Sequence, residues 1–160
     1  TIGNLLNRTS SMSRKWFDNQ VPNIEEKNTD DILELYSKET IKNYIEHFNC
    51  YELDLAANSI LNLAIKTNLY LNEKQPWTLI KDEINVSEVS NIIYNVLEST
   101  RIIGLLLLPI LPDLSTKIDL QLGSIYDENK PWNEQLEWGL LKNNSILPAP
   151  NPIIEKLEYE

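Results

Sequence analysis

Residues 87–109 of the 160-residue chain read SEVSNIIYNVLESTRIIGLLLLP, and the predicted architecture follows from this segment. Its apolar residues recur at the i, i+3, i+4, i+7 spacing of an α-helix, with Ser87-Glu88 as a cap and Pro109 as the end. The periodic set comprises Val89, Ile92, Ile93, Val96, Leu97, Thr100, Ile103 and Leu107. We expect this to be the central core helix.

The same kind of periodicity predicts four further helices. They cover residues 1–20, ended by Val21-Pro22; residues 32–48, with a break near Ser37; residues 54–73, stopped by Pro76; and residues 112–122, capped by Gly123. No stretch has a convincing strand pattern. The predicted fold is therefore all-α, an antiparallel bundle of about five helices.

The chain changes character after Gly123. Residues 124–151 hold Trp132, Trp138 and several prolines, which predicts an ordered loop and an extended tail. Residues 152–157 are predicted to form a last helical turn. We interpret residues 1–160 as a single domain, in which 1–123 form the bundle and 124–160 form a loop and tail that packs back.

Charge and composition limit the functions open to the chain. The net charge of −10 weakly disfavours non-specific nucleic-acid binding. Residues 1–20 are an exception, because they contain three basic residues, Arg8, Arg14 and Lys15, and one acidic residue, Asp18. Their net charge is +2, which leaves −12 for the remaining residues. The longest apolar run has about ten residues, too short for a membrane span of about twenty.

The residues offer no site for catalysis, metal or cofactor. Glycines only at positions 3, 104, 123 and 139 cannot form a phosphate loop, and His47 has no paired nucleophile. With Cys50 as the single cysteine, neither an internal disulfide nor a zinc cluster is expected, which indicates a reducing, intracellular compartment. Carboxylates such as Asp30-Asp31 and Glu25-Glu26 are interpreted as helix starts and solvated faces.

Two segments carry candidate binding residues. Projection of the first helix at about 100° per residue places Asn4, Arg8, Ser11 and Lys15 on one polar face, opposite its apolar stripe. Asn4 and Arg8 are one turn apart, so an amide and a guanidinium could grip one base, although a solvated helix face explains the same pattern. Pro76-Trp77 could present an indole outward as a platform for a nucleobase, or anchor a helix corner in the core.

Taken together, the sequence resembles the C-terminal anticodon-binding domain of methionyl-tRNA synthetase. The specific signals are the Asn4–Arg8 pair and Pro76-Trp77, and the resemblance covers essentially the whole chain. The matching segments are Gly3-Asn4-Leu5-Leu6-Asn7-Arg8, residues 68–77, Leu108-Pro109-Ile110-Leu111-Pro112, Gln121-Leu122-Gly123, Trp138-Gly139 and residues 152–158.

The resemblance implies a helical bundle that binds the CAU anticodon of methionine tRNA. Trp77 would stack on the first anticodon base, and Asn4 and Arg8 would hydrogen-bond that base or its neighbours. Lys15, and Arg14 with a less favourable direction, would add positive charge. The chain would then be a fragment that follows a catalytic domain upstream of Thr1.

That catalytic domain would use ATP, whereas this fragment would bind no cofactor. The expected compartment is the cytoplasm or an organelle, with neither a membrane nor DNA as a partner. Two alternatives stay open. The chain could be the corresponding domain of another class I synthetase, or a helical protein-interaction module that uses Trp132, Trp138 and the proline-rich tail.

Overall fold

The computed structural model describes residues 2–24, 30, 32–151 and 153, and these residues form a bundle of α-helices. The helices are α1 (Ile2–Trp16), α2 (Ile32–Asn49), α3 (Leu53–Lys74), α4 (Pro76–Leu79), α5 (Val86–Leu107) and α6 (Pro112–Gln121). Short 3₁₀ turns occur at Glu83–Asn85 and Asn133–Leu136. Five helices are longer than one turn and the described residues contain no strand, so the predicted all-α bundle is confirmed.

The centre of the bundle is α5, which packs against α1, α2, α3 and α6. Every residue from 92 to 107 is buried, as expected for a helix covered on all sides. The predicted start was wrong in detail. The 3₁₀ turn Glu83–Asn85 leads directly into α5 at Val86, so Ser87 lies inside the helix instead of capping it.

Two other predicted features of the helices differ from the structure. The first helix ends at Trp16 because Asp18 and Asn19 have φ values of 50° and 60°, a left-handed conformation that a right-handed helix cannot contain. The predicted break near Ser37 is wrong: this small side chain is buried within an uninterrupted α2. The predicted carboxylate pair Glu25-Glu26, Asp31 and the helical turn 152–157 lie wholly or largely outside the described residues.

A buried ion pair on α5 holds the segment after α6. The carboxylate of Glu98 accepts hydrogen bonds from Arg101 at 2.9 and 2.6 Å, and from the backbone N–H groups of residues 139–141 at 2.8 to 3.1 Å. Arg101 also donates to the carbonyls of Gln135 and Glu137 at 2.6 and 2.7 Å. Because buried charges are costly unless paired and hydrogen-bonded, this arrangement ties the loop to the central helix.

Apolar side chains of the same segment enter the core. Leu136, Leu141 and Leu147 are buried, and Trp132 donates its indole N–H to the carbonyl of Leu105 at 2.9 Å. An isolated antiparallel bridge joins residue 20 to residue 146. These contacts support the interpretation of residues 1–160 as one domain with a tail that packs back, which stays a prediction.

Candidate functional site

The indole of Trp77 lies at the surface, just after the end of α3. Helix α3 ends at Lys74, and Gln75 adopts a left-handed conformation with φ 47° and ψ 56°. Pro76 then begins the one-turn helix α4, a position where its missing N–H costs nothing. Pro76 is buried, whereas Trp77 is 38% exposed. The turn at Gln75 therefore directs the proline inward and leaves much of the indole in solvent.

A guanidinium group flanks this indole. The Cζ atom of Arg8, on α1, lies 5.7 Å from the centroid of the Trp77 ring, within cation–π distance. Nη2 of Arg8 donates a hydrogen bond of 3.3 Å to Oδ1 of Asn72, on the last turn of α3. Sequence reasoning did not single out Asn72, although it lies within the matching segment 68–77. The structure thus brings Arg8 and Trp77 together where α1 meets α3.

Asn4 lies on α1, one turn before Arg8. Its side chain is exposed, while the neighbouring Leu5 and Leu6 are buried. The predicted division of α1 into a polar face and a core face is therefore present at this end of the helix. Asn4 thus exposes an amide, with donors and an acceptor, one helical turn from the guanidinium that flanks the indole.

Arg14 and Lys15 lie at the other end of α1. Both are exposed, and together with Asn7, Ser11 and Pro150 they line an open depression of about 650 Å³. Lys15 is two turns from Arg8, which corresponds to about 10 Å along a helix. A basic residue in the last turn also interacts favourably with the helix dipole, so this position has a structural explanation as well.

The last turn of α3 also contacts Asp30, through Lys74 and Tyr70. One carboxylate oxygen of Asp30 lies 2.6 Å from the ammonium group of Lys74 and accepts a hydrogen bond of 3.1 Å from the Tyr70 hydroxyl. Asp30 does stand at a helix start, because its other carboxylate oxygen accepts a hydrogen bond of 3.5 Å from the N–H group of Ile32, the first residue of α2. The interpretation of this carboxylate as merely solvated is wrong, because it also contacts α3. Burial raises the pKa of the Tyr70 hydroxyl well above its usual value, with a further contribution from Asp30.

The remaining polar candidates do not form a catalytic arrangement. Nδ1 of His47 lies 2.8 Å from a carboxylate oxygen of Glu52, and Cys50 is exposed between them in sequence. Among the described residues, no group of three or more His, Cys, Asp or Glu side chains could hold a metal ion. No helix in the part of the chain that the structure describes is long and apolar enough to cross a membrane.

Similar solved structures define the class of this domain. The chain superposes on the apo form of Mycobacterium tuberculosis methionyl-tRNA synthetase with a TM-score of 0.88 and 28% identity, covering 99% of this chain and 32% of that chain. For the same enzyme in complex with methionyl-adenylate the TM-score is 0.86, again with 28% identity, over 97% of this chain and 30% of that one. The chain is thus a helical domain of the kind found in these synthetases.

Sequence comparisons lead to the same class of domain as the solved structures. The chain is 34% identical to the methionine–tRNA ligase of Bacillus subtilis and 33% identical to that of Listeria monocytogenes, over 99% of its own length in each case. It spans 24% of the length of each of these relatives. A family model described as the anticodon binding domain of methionyl tRNA ligase matches residues 21–160. The chain belongs to this family.

The family assignment bears on the alternatives. It favours a methionyl enzyme over another class I synthetase. The alternative of a protein-interaction module that uses Trp132 and Trp138 is not supported, because both rings are partly buried against the core. The family match begins after α1, so the roles of Asn4, Arg8, Arg14 and Lys15 are not part of it.

Proposed function

We propose that this chain is the part of a methionine–tRNA ligase that reads the CAU anticodon of methionine tRNA, with Trp77 stacking on the first anticodon base. The observation that carries the proposal is the half-exposed indole of Trp77 with the guanidinium of Arg8 5.7 Å from its centroid. Proteins read single-stranded RNA through unstacked bases that lie on aromatic rings and arginine planes. Each such stack is worth about 1 to 3 kcal/mol.

Polar groups beside the ring supply the specificity. The exposed amide of Asn4 offers both a donor and an acceptor to the edge of a cytosine, and would reject uracil. The guanidinium of Arg8, oriented by its hydrogen bond to Asn72, supplies a charged donor. Lys15 and Arg14 lie further along α1 and would contact phosphates of the RNA.

The chemistry of the whole protein would take place in another domain. The relatives compared by sequence are about four times as long as this chain, and a similar solved structure, that of a methionyl-tRNA synthetase, is in complex with methionyl-adenylate, the product of methionine and ATP. We infer that this chain is joined to a catalytic domain that binds ATP, and that it contributes RNA binding alone. The cytoplasm, or an organelle, stays our prediction for its compartment.

The decisive experiment is a titration of the full protein with methionine tRNA, comparing wild type with Trp77→Ala. The variant is expected to lose about 1 to 3 kcal/mol of binding free energy while its circular dichroism spectrum is unchanged. Tyr51→Ala is a matched control, because Tyr51 is an 89% exposed aromatic residue at the opposite end of α3. Equal affinity for wild type and Trp77→Ala would refute the proposal.

Two further variants test the assigned roles. Asn4→Ala should bind tRNA with a C-to-U change at the first anticodon base nearly as well as the unchanged tRNA, whereas wild type should discriminate. Lys15→Ala should make the dependence of log K on log salt shallower by about 0.7 to 0.9. Lys38→Ala is the control for Lys15, since Lys38 is exposed on α2. An unchanged slope for Lys15→Ala would place Lys15 away from the RNA.

A further inference from the structure

The turn that directs Trp77 is strained. Gln75 has φ 47° and ψ 56°, a left-handed conformation that is unfavourable for a residue with a side chain. Such a conformation persists only where its surroundings enforce it. Burial of Pro76 secures the residue that follows Gln75. The residue that precedes it, Lys74, must be secured as well for the turn to keep its shape.

Lys74 is secured through its side chain. Its ammonium group lies 2.6 Å from Oδ2 of Asp30 and 5.6 Å from the centroid of the Tyr70 ring. The Tyr70 hydroxyl donates to the same carboxylate oxygen at 3.1 Å. Asp30 therefore contacts two residues one turn apart at the end of α3, immediately before the strained turn.

Asp30 is itself attached to the rest of the bundle. Its backbone carbonyl accepts a hydrogen bond of 3.1 Å from the amide of Asn95, which is buried on α5. The same amide nitrogen lies 3.4 Å from the Tyr70 hydroxyl. These contacts connect the end of α3 to α5, the buried central helix of the bundle.

We propose that Asp30 and Lys74 are positioning residues of the base-binding site, which hold the end of α3 so that Trp77 lies beside Arg8. The inference rests on the proposed function and adds the residues that preorganise its site. Fixing a side chain before binding lowers the ordering cost that a ligand must meet. Lys74 acts through Trp77, and its ammonium group is neutralised by Asp30 instead of by an RNA phosphate.

The first test does not involve RNA. The full protein is labelled with 5-fluorotryptophan, and the 19F resonance of Trp77 is assigned by its absence in Trp77→Phe. Asp30→Asn and Lys74→Met should each shift and broaden this resonance and leave the other tryptophan resonances in place. Lys38→Met is the matched control, because it removes another lysine–carboxylate contact of 2.6 Å, with Glu34. An unchanged Trp77 resonance in both variants would overturn the inference.

The second test measures affinity for an RNA stem-loop with a CAU anticodon, as a double-mutant cycle. Lys74→Met should weaken binding about threefold to tenfold in wild type, and less than twofold when Trp77 is already alanine. Its salt dependence should equal that of wild type. A salt slope shallower by about 0.7 would mean that Lys74 contacts a phosphate, and an equal loss in both backgrounds would mean that it does not act through Trp77. Either result overturns the inference.

The two tests separate this inference from the proposed function. If Trp77→Ala binds the stem-loop as tightly as wild type, the proposed function fails. The fluorine spectra then still decide whether Asp30 and Lys74 fix the position of the indole. If Trp77→Ala weakens binding and the fluorine spectra do not change, the proposed function stands and the positioning role fails.

Discussion

Glu98→Gln is expected to destabilise the domain by about 3 to 5 kcal/mol, because it breaks a fully buried ion pair while preserving its shape. Oε1 of Glu98 accepts hydrogen bonds from Arg101 and from the N–H groups of Gly139 and Leu140. Oε2 accepts from Arg101 and from the N–H group of Leu141. A glutamine NH₂ group in either position cannot accept these hydrogen bonds, because it is itself a donor.

The magnitude follows from these bonds. The more favourable orientation of the glutamine puts its NH₂ group at the Oε2 position and loses two hydrogen bonds, and each unsatisfied buried group costs about 1 to 3 kcal/mol. The guanidinium of Arg101, only 4% exposed, also loses its counter-charge. Since whole domains are stable by about 5 to 15 kcal/mol, this loss is a large fraction of the total.

Urea unfolding followed by tryptophan fluorescence measures this loss. Glu34→Gln is the control, because Glu34 pairs with Lys38 at the surface of α2 and such pairs contribute about 0 to 1 kcal/mol. A Glu98→Gln variant that is no less stable than Glu34→Gln would refute the reasoning. That result would mean that the segment after α6 does not depend on the buried carboxylate.

Three further predictions concern the packing of the bundle. Gly104→Ala is expected to destabilise the protein by about 1 to 3 kcal/mol despite the higher helix propensity of alanine, because the new Cβ would lie 2.8 Å from Cγ2 of the buried Ile118. In a double-mutant cycle, Ile118→Ala should recover part of this loss, and strictly additive effects would contradict the clash. Tyr44→Phe should stabilise the protein by about 1 kcal/mol at pH 7, since the buried hydroxyl has no hydrogen-bond partner among the described residues. Burial raises the pKa of the Tyr44 hydroxyl from 10.0 to about 12, so the unfolded chain releases this proton at a lower pH than the folded protein, and the stability of wild type falls further between pH 10 and pH 12. Urea midpoints of wild type should fall across this range more steeply than those of Tyr44→Phe, and parallel curves would contradict the raised pKa. Trp132→Phe should cost about 1 kcal/mol in thermal unfolding through loss of the hydrogen bond to the Leu105 carbonyl, and an unchanged midpoint would show that this bond contributes nothing.

Local sequence patterns were sufficient to predict most of the helices and the part of the candidate site that lies on α1. The apolar period of α5 and the two faces of α1 are properties of consecutive residues, so Asn4 and Arg8 could be placed on one side of α1 from sequence alone. The single-turn α4 and the left-handed Gln75 were not predicted. A glutamine carries no signal for a left-handed turn.

Residues that act across the fold were harder to interpret. Glu98 and Arg101 are three residues apart and look like an ordinary pair on a helix surface, but the tail covers them. Asp30 is recognisable as a helix start, but its contacts with Lys74 and Tyr70 of α3 are not. In both cases the decisive partner is distant in sequence, and the local pattern contains no information about it.

The dependence of α5 on the tail also affects the nascent chain during synthesis. Glu98 is made 41 residues before the N–H group of Gly139 that it binds. Until that segment leaves the ribosome, the central helix exposes a charged pair and an apolar face that Leu136 and Leu141 later cover. Exposed apolar surface makes incomplete chains prone to aggregation, so we expect a product truncated before residue 136 to be less soluble than the complete domain.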